Sequence, residues 1–180
     1  MTHNPTPAAE FSRIIDIRHI EDKPVVLTAD AGECQALARR FDLVSVHALE
    51  ATVMLTRDDA GDLKAFAAKG RLKADIVQSC AISGEDLPVL IDEVLNLRFI
   101  PATDAPMVPT EEEIEITEDE CDEIDFTGER FDLGEAVAQS LGLAIDPFAE
   151  GPEADRVRRE VGLSEEKLNP FAALAALKKS

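Results

Sequence analysis

The sequence has no tryptophan and no tyrosine, three histidines, three cysteines, and 18 basic side chains against 37 acidic ones in 180 residues. Each shortage excludes something. Eight Phe are the only aromatic rings, so stacking of bases on aromatic platforms has little to work with. Cys34, Cys80 and Cys121 are odd in number and far apart, which fits reduced thiols and not a disulfide framework. No apolar run reaches the roughly 18 residues of a membrane-spanning helix. Residues 1–10 lack the basic start and apolar middle of a secretory signal. The expected compartment is therefore the cytoplasm, with no membrane partner. A formal net charge of −19 opposes binding to phosphate, which requires clustered Lys and Arg. Generic RNA is expected to bind weakly, and any nucleic-acid contact has to be local or indirect.

Catalytic signatures are also missing. There is no Gly-rich phosphate loop, no Cys-x-x-Cys pair, no His-Glu-x-x-His and no Gly-x-Ser-x-Gly elbow. Of His3, His19 and His47, only the last falls on a predicted strand, where it reads as a structural or surface residue. Cys80 follows Ser79 at a strand end, a position open to a zinc ligand or a reactive thiol. Structural zinc takes four ligands at short paired spacings, which are absent, so Cys80 reads as a small buried apolar residue. No cofactor and no small-molecule substrate are expected, and the chain does not read as an enzyme.

What is present is a hydrophobic fraction of 45%, enough for one core with appendages, and an uneven charge. Residues 101–135 hold 14 acids and Arg130 as their sole base, whereas residues 153–180 hold six bases and five acids. Glu111-Glu112-Glu113 and Glu118-Asp119-Glu120, with Pro101, Pro106 and Pro109 before them, predict a mobile acidic loop over about 101–120. It is expected to be dispensable for folding. Such a run stays solvated and does not chelate or catalyse, but it attracts a basic partner such as a ribosomal protein.

The rest alternates between two periods. Ile15 with Ile17, and residues 25–27, predict short strands, and Asp30 with Glu33 predicts a capping box opening a helix that buries Cys34, Leu37, Ala38 and Phe41. From Val44 the period is two, in one phase to Ala48 and in the other from Leu49 to Leu55, so a bulge is predicted near Ala48. Asp58-Asp59-Ala60-Gly61 predicts a turn, followed by Leu63, Ala65 and Ala67, then Leu72, Ala74 and Ile76. Leu95, Leu97 and Phe99 predict a third antiparallel strand, and Ile124 with Phe126 a short one. Asp132 predicts the cap of a helix with Leu133, Ala136, Val137 and Leu141 on one face, ended by Pro147. Residues 154–161 form a further helical candidate. Asn169-Pro170 opens another, whose Phe171, Leu174 and Leu177 form an apolar stripe suited to docking on a partner.

The order of these pieces resembles the YceD family of large ribosomal RNA subunit accumulation proteins over about residues 11–177. The residues that carry it are Cys80 with Pro88, the acidic stretch, Glu123-Ile124-Asp125, Asp132-Leu133, the helix end Leu141-Gly142-Leu143-Ala144-Ile145-Asp146-Pro147, and Asn169-Pro170-Phe171-Ala172-Ala173-Leu174. Two positions depart from the family pattern. Many members carry a second Cys where this chain has Ser83, and a further Cys pair where residues 148–155 have none, so a metal site built on those cysteines has no counterpart here. The resemblance implies a non-catalytic role in making or accumulating large-subunit rRNA in the bacterial cytoplasm.

The expected fold is α+β: one domain over residues 11–147, an antiparallel sheet with barrel closure left open, helices at 31–41 and 132–144 packed on it, and a tail over 148–180 with short helices. The expected partners are a ribosomal precursor particle, a ribosomal protein or large-subunit rRNA. Cys80, Pro88, Asp125, Asp132, Leu133, Phe171, Leu174 and Leu177 are the candidate motif and docking residues. The rivals are an acidic chaperone or mimic that holds a basic ribosomal protein, and a metal-dependent hydrolase with an unrecognised site.

Overall fold

Period-two alternation over three long stretches gives three long strands, and the rest of the chain builds on them. The computed structural model describes residues 9–21, 23–58, 65–102 and 122–161. The strands are β1 (Ile14–Asp16), β2 (Pro24–Thr28), β3 (Ser45–Asp58), β4 (Ala65–Ser79), β5 (Asp86–Pro101), β6 (Asp122–Phe126) and β7 (Arg130–Asp132), and the helices are α1 (Ala31–Arg40), α2 (Leu133–Ala144) and α3 (Ala154–Val161). β2-β3-β4-β5-β6 form one open sheet, and β1 pairs antiparallel with β7 in a separate two-stranded ribbon. The fold is α+β and the sheet does not close into a barrel. The turn residues 59–61, residues 103–120 of the expected acidic loop and the helix expected from Asn169 lie outside the described residues, whereas Pro101, the expected start of that loop, is the last residue of β5.

The bulge expected near Ala48 is present, and three other expectations changed on folding. Pairing skips from Val46↔Ile76 to Ala48↔Asp75, so His47 is the extra residue of the bulge, and its exposed ring lies 3.6 Å from Asp75. On β4 the core-facing residues are Phe66, Ala68, Leu72, Ala74 and Ile76 in one unbroken phase. The large ring of Phe66 decides the phase, since alanines fit either face at little cost. Ile17 leaves the strand for a 3-10 turn over Ile17–His19, because the Asp16 carboxylate accepts from the Arg18 amide and caps it. Finally, β6 joins β5 in parallel, from Leu97↔Asp122 to Pro101↔Phe126, although every other neighbour in the sheet is antiparallel.

The core lies on one face only. Cys34 and Leu37 of α1, and Leu133, Ala136, Val137, Ala138 and Leu141 of α2, join one apolar cluster with Leu49, Val53, Leu55, Leu72, Leu95 and Leu97. Four rings close one end: Phe131 of β7 stacks on Phe99 of β5 with centroids 4.0 Å apart, and meets Phe66 and Phe126 edge-on or tilted at 6.0 and 5.8 Å.

Polar groups fix the helix starts. Asp30 and Glu33 form the expected capping box, and Arg13 grips the same Glu33 with two bonds of 2.6 and 2.9 Å. Arg40 links Glu135 on α2 to α1 at 2.7 Å. The Arg13 bond, ahead of the Asp30 amide, holds the Glu33 carboxyl below its usual 4.5. A carboxyl that is more acidic in the folded chain stabilises fully above about pH 4.5 and loses that stabilisation as the pH falls through the lower folded value. Glu33→Gln is expected to cost about 1–2 kcal/mol near neutrality. Urea melts should show the gap to the wild type narrowing steadily below about pH 4.5, and a gap that does not change with pH would contradict the pairing.

Candidate functional site

α1 and α2 pack on one side, and among the described residues the other side of the sheet faces solvent; the register states what occupies it. Side chains alternate across a strand, so three rows cross this face: Pro24, Met54, Lys69, Asn96; Val26, Thr52, Arg71, Val94; and Thr28, Glu50, Lys73, Asp92. Beyond them lie Thr56, Ala67 and Arg98 at one end, and Ala48, Asp75 and Leu90 at the other. Val26, Val94 and Leu90 are 61%, 70% and 81% exposed, unusual for aliphatic side chains that a neighbouring element could have covered.

The electrostatics of this face differ from those of the whole molecule. Lys69, Arg71 and Lys73 form a straight row on the central strand, about 6.6 Å from one to the next at a rise of ~3.3 Å per residue. Arg71 bonds Asp92 on β5, and that bond first, with Lys73 also contributing, lowers the Asp92 pKa from its usual 3.8. Neither lysine makes an ion pair within 4.0 Å among the described residues, while most arginines do, Arg98 being held between Asp58 and Glu123 at 2.9 Å each. Shallow hollows flank the row. One of about 570 Å³ involves Lys69, Asn96 and Arg98, and one of about 360 Å³ involves Glu50, Lys73 and Leu90.

Cys80 sits at the end of β4 in a second construction. Its thiol accepts from the amides of Ser83 and Gly151 at 3.3 Å each. Ala81 donates to the Ala149 carbonyl at 2.9 Å, Glu85 accepts from the Ser83 hydroxyl at 3.0 Å and the Glu153 amide at 2.9 Å, and buried Gln78 donates to the Asp146 carbonyl at 2.8 Å. These bonds clasp the β4–β5 turn to the segment that leads into α3. Bonds from Ser83, ahead of those from Gly151 and Ile82, pull the Cys80 thiol down to about 7, while burial pushes the Cys34 thiol up. The two positions where the sequence departs from the family pattern, Ser83 and residues 148–155, thus meet at Cys80. Among the described residues, no group of three His, Cys, Asp or Glu side chains could hold a metal ion.

The remaining candidates are dispersed. Pro88 pairs with Val77 at the same hairpin end as Cys80. Asp132 caps α2 by accepting from the Glu135 amide at 3.1 Å and ties down the N-terminal segment through Ser12 and the Arg13 amide at 2.6 and 2.8 Å. Leu133 is fully buried beside it. Asp125 is exposed on β6 opposite Ile100, and Phe171, Leu174 and Leu177 lie outside the described residues. Sequence reasoning missed the basic row. The signal is present as Lys69-x-Arg71-x-Lys73 on a predicted strand, but the acids elsewhere in residues 1–100 outnumber these bases and hide the row in the net charge.

No curated protein and no solved structure matches the chain. One family does, over residues 68–178, from the basic row on β4 through the Cys80 clasp and α2 to the C-terminal segment, a span that begins later than the resemblance read from the sequence. Because that match covers more than half of its length, the chain belongs to the family of large ribosomal RNA subunit accumulation protein YceD.

Proposed function

We propose that this protein supports the synthesis, processing or accumulation of large-subunit rRNA by binding a ribosomal precursor particle in the cytoplasm, and that it does so without catalysis. The family match carries the reading. It is supported by a wide sheet face that, among the described residues, carries no helix and holds exposed aliphatic side chains beside Lys69 and Lys73, which make no ion pair there. Ion pairs such as Arg13–Glu33, Arg40–Glu10, Arg40–Glu135 and Arg98–Asp58 staple elements together. In cells lacking the protein, the ratio of large- to small-subunit rRNA should fall, and the wild-type gene should restore it. An unchanged ratio would overturn the reading. The 14 acids against one base over residues 101–135 favour a second reading, a chaperone for a basic ribosomal protein. Recovery of such a protein free of particles from a tagged pull-down would support that one instead.

A further inference from the structure

We propose that the open face of the sheet binds single-stranded RNA through its sugar-phosphate backbone, with Lys69, Arg71 and Lys73 each meeting a phosphate. This rests on the reading above that the protein acts on ribosomal RNA. The first argument is a pair of lysines that make no ion pair among the described residues. In a chain with twice as many acids as bases, a lysine finds a carboxylate easily. Yet Lys69 and Lys73 make no ion pair among the described residues, and Arg71 between them has a single exposed partner, Asp92, which phosphate can displace.

The second argument is shape. A straight row on one strand, with bases two residues apart, follows one extended backbone and presents its ammonium and guanidinium groups to successive anions. The exposed flanks, Val26 and Thr52 on one side and Val94 on the other, offer no ring for base stacking, so recognition is of the backbone and tolerant of sequence. Glu50, Asp75 and Asp92 border the strip. They reject a second row of phosphates, so a duplex is disfavoured and contact is confined to one strand. This is the local contact that a net charge of −19 still permits.

The magnitude follows from counterion release. Three phosphates neutralised on a single strand give a slope of about −2 in log K against log salt, which weakens binding about 20-fold between 50 and 200 mM. The test is fluorescence anisotropy of labelled single-stranded oligouridylate with the full-length protein at both salts, for wild type, for Lys69→Glu/Arg71→Glu/Lys73→Glu, and for a control with the same charge change elsewhere, Lys23→Glu/Arg39→Glu/Arg159→Glu. We expect the row variant to lose at least 20-fold at 50 mM and to flatten the slope, while the control loses only a few-fold. Equal losses in the two variants, or no wild-type binding at 50 mM, would overturn the proposal. If the Glu variant misfolds by circular dichroism, the corresponding Gln variant is measured against the same criteria. The rRNA ratio is scored alongside. Absent RNA binding with a ratio restored by wild type but not by the row variant means the face takes a protein, which overturns this proposal and leaves the function standing. A ratio that wild type does not restore removes the functional reading, whatever the oligonucleotide shows.

Discussion

Gly70→Ala is expected to lower the melting temperature by about 10 °C, a loss of about 4 kcal/mol at 2–4 °C per kcal/mol for a chain of this size. The sign alone is informative. Glycine in a strand interior ordinarily costs about 0.5–1 kcal/mol relative to alanine, so without a close contact the substitution would stabilise. Here a β-carbon on Gly70 would stand 2.1 Å from the Thr52 carbonyl oxygen and 2.8 Å from the Val53 α-carbon. Both are backbone atoms of β3 that no rotamer change can move. The strands must separate, and the ladder around Val53↔Gly70↔Leu95 must break with them. Gly70 also lies between Lys69 and Arg71, so this approach sets the path of β4 beneath the basic row. Thermal melts of Gly70→Ala beside the exposed Thr52→Ala decide the matter, and an equal or higher melting temperature for Gly70→Ala would contradict the approach.

Phe131→Ala is expected to cost about 3–5 kcal/mol, the range for removing a buried ring and leaving the space unfilled. Phe131 is 4% exposed, stacks on Phe99 and touches Phe66 and Phe126. β7 is three residues long, so this ring, and not its short ladder with β1, holds the ribbon against the main sheet. Asp132 and Leu133, next in the chain, open α2. Losing the anchor therefore loosens the helix start as well, and amide exchange should accelerate at the first turn of α2 together with the fall in stability. Phe131→Leu should recover part of the loss, and Phe148→Ala, where the ring is 78% exposed, should cost almost nothing. Comparable stabilities for Phe131→Ala and Phe148→Ala would show that the cluster is not the joint.

Local chemistry was legible without the fold. The capping box at Asp30 and Glu33, the Asp132 cap, the bulge beside Ala48 and the inward Leu95, Leu97 and Phe99 all depend on neighbours within a turn of helix or on alternation along one strand. The family was legible too, since its motif is an order of residues along the chain. The phase of β4 was not, because small alanines at Ala65 and Ala67 carry little signal and the ring of Phe66 outweighs them only once partners exist for it to pack on. Nor was the parallel pairing of β6. Its partner is chosen by which edge of the sheet lies free, and the sequence of β6 does not encode that.

The candidate site divides in the same way. Cys80 stood out in the sequence, but its Ser83, Glu85 and Gly151 partners converge only because the β4–β5 turn folds onto the segment before α3. Lys69, Arg71 and Lys73 alternate visibly, yet alternation gives two faces and does not say which one the helices cover. Burying Leu72 and Ile76 under α1 and α2 removes far more apolar surface from water than burying the opposite face would. That difference, summed over the whole sheet, leaves the basic row in solvent.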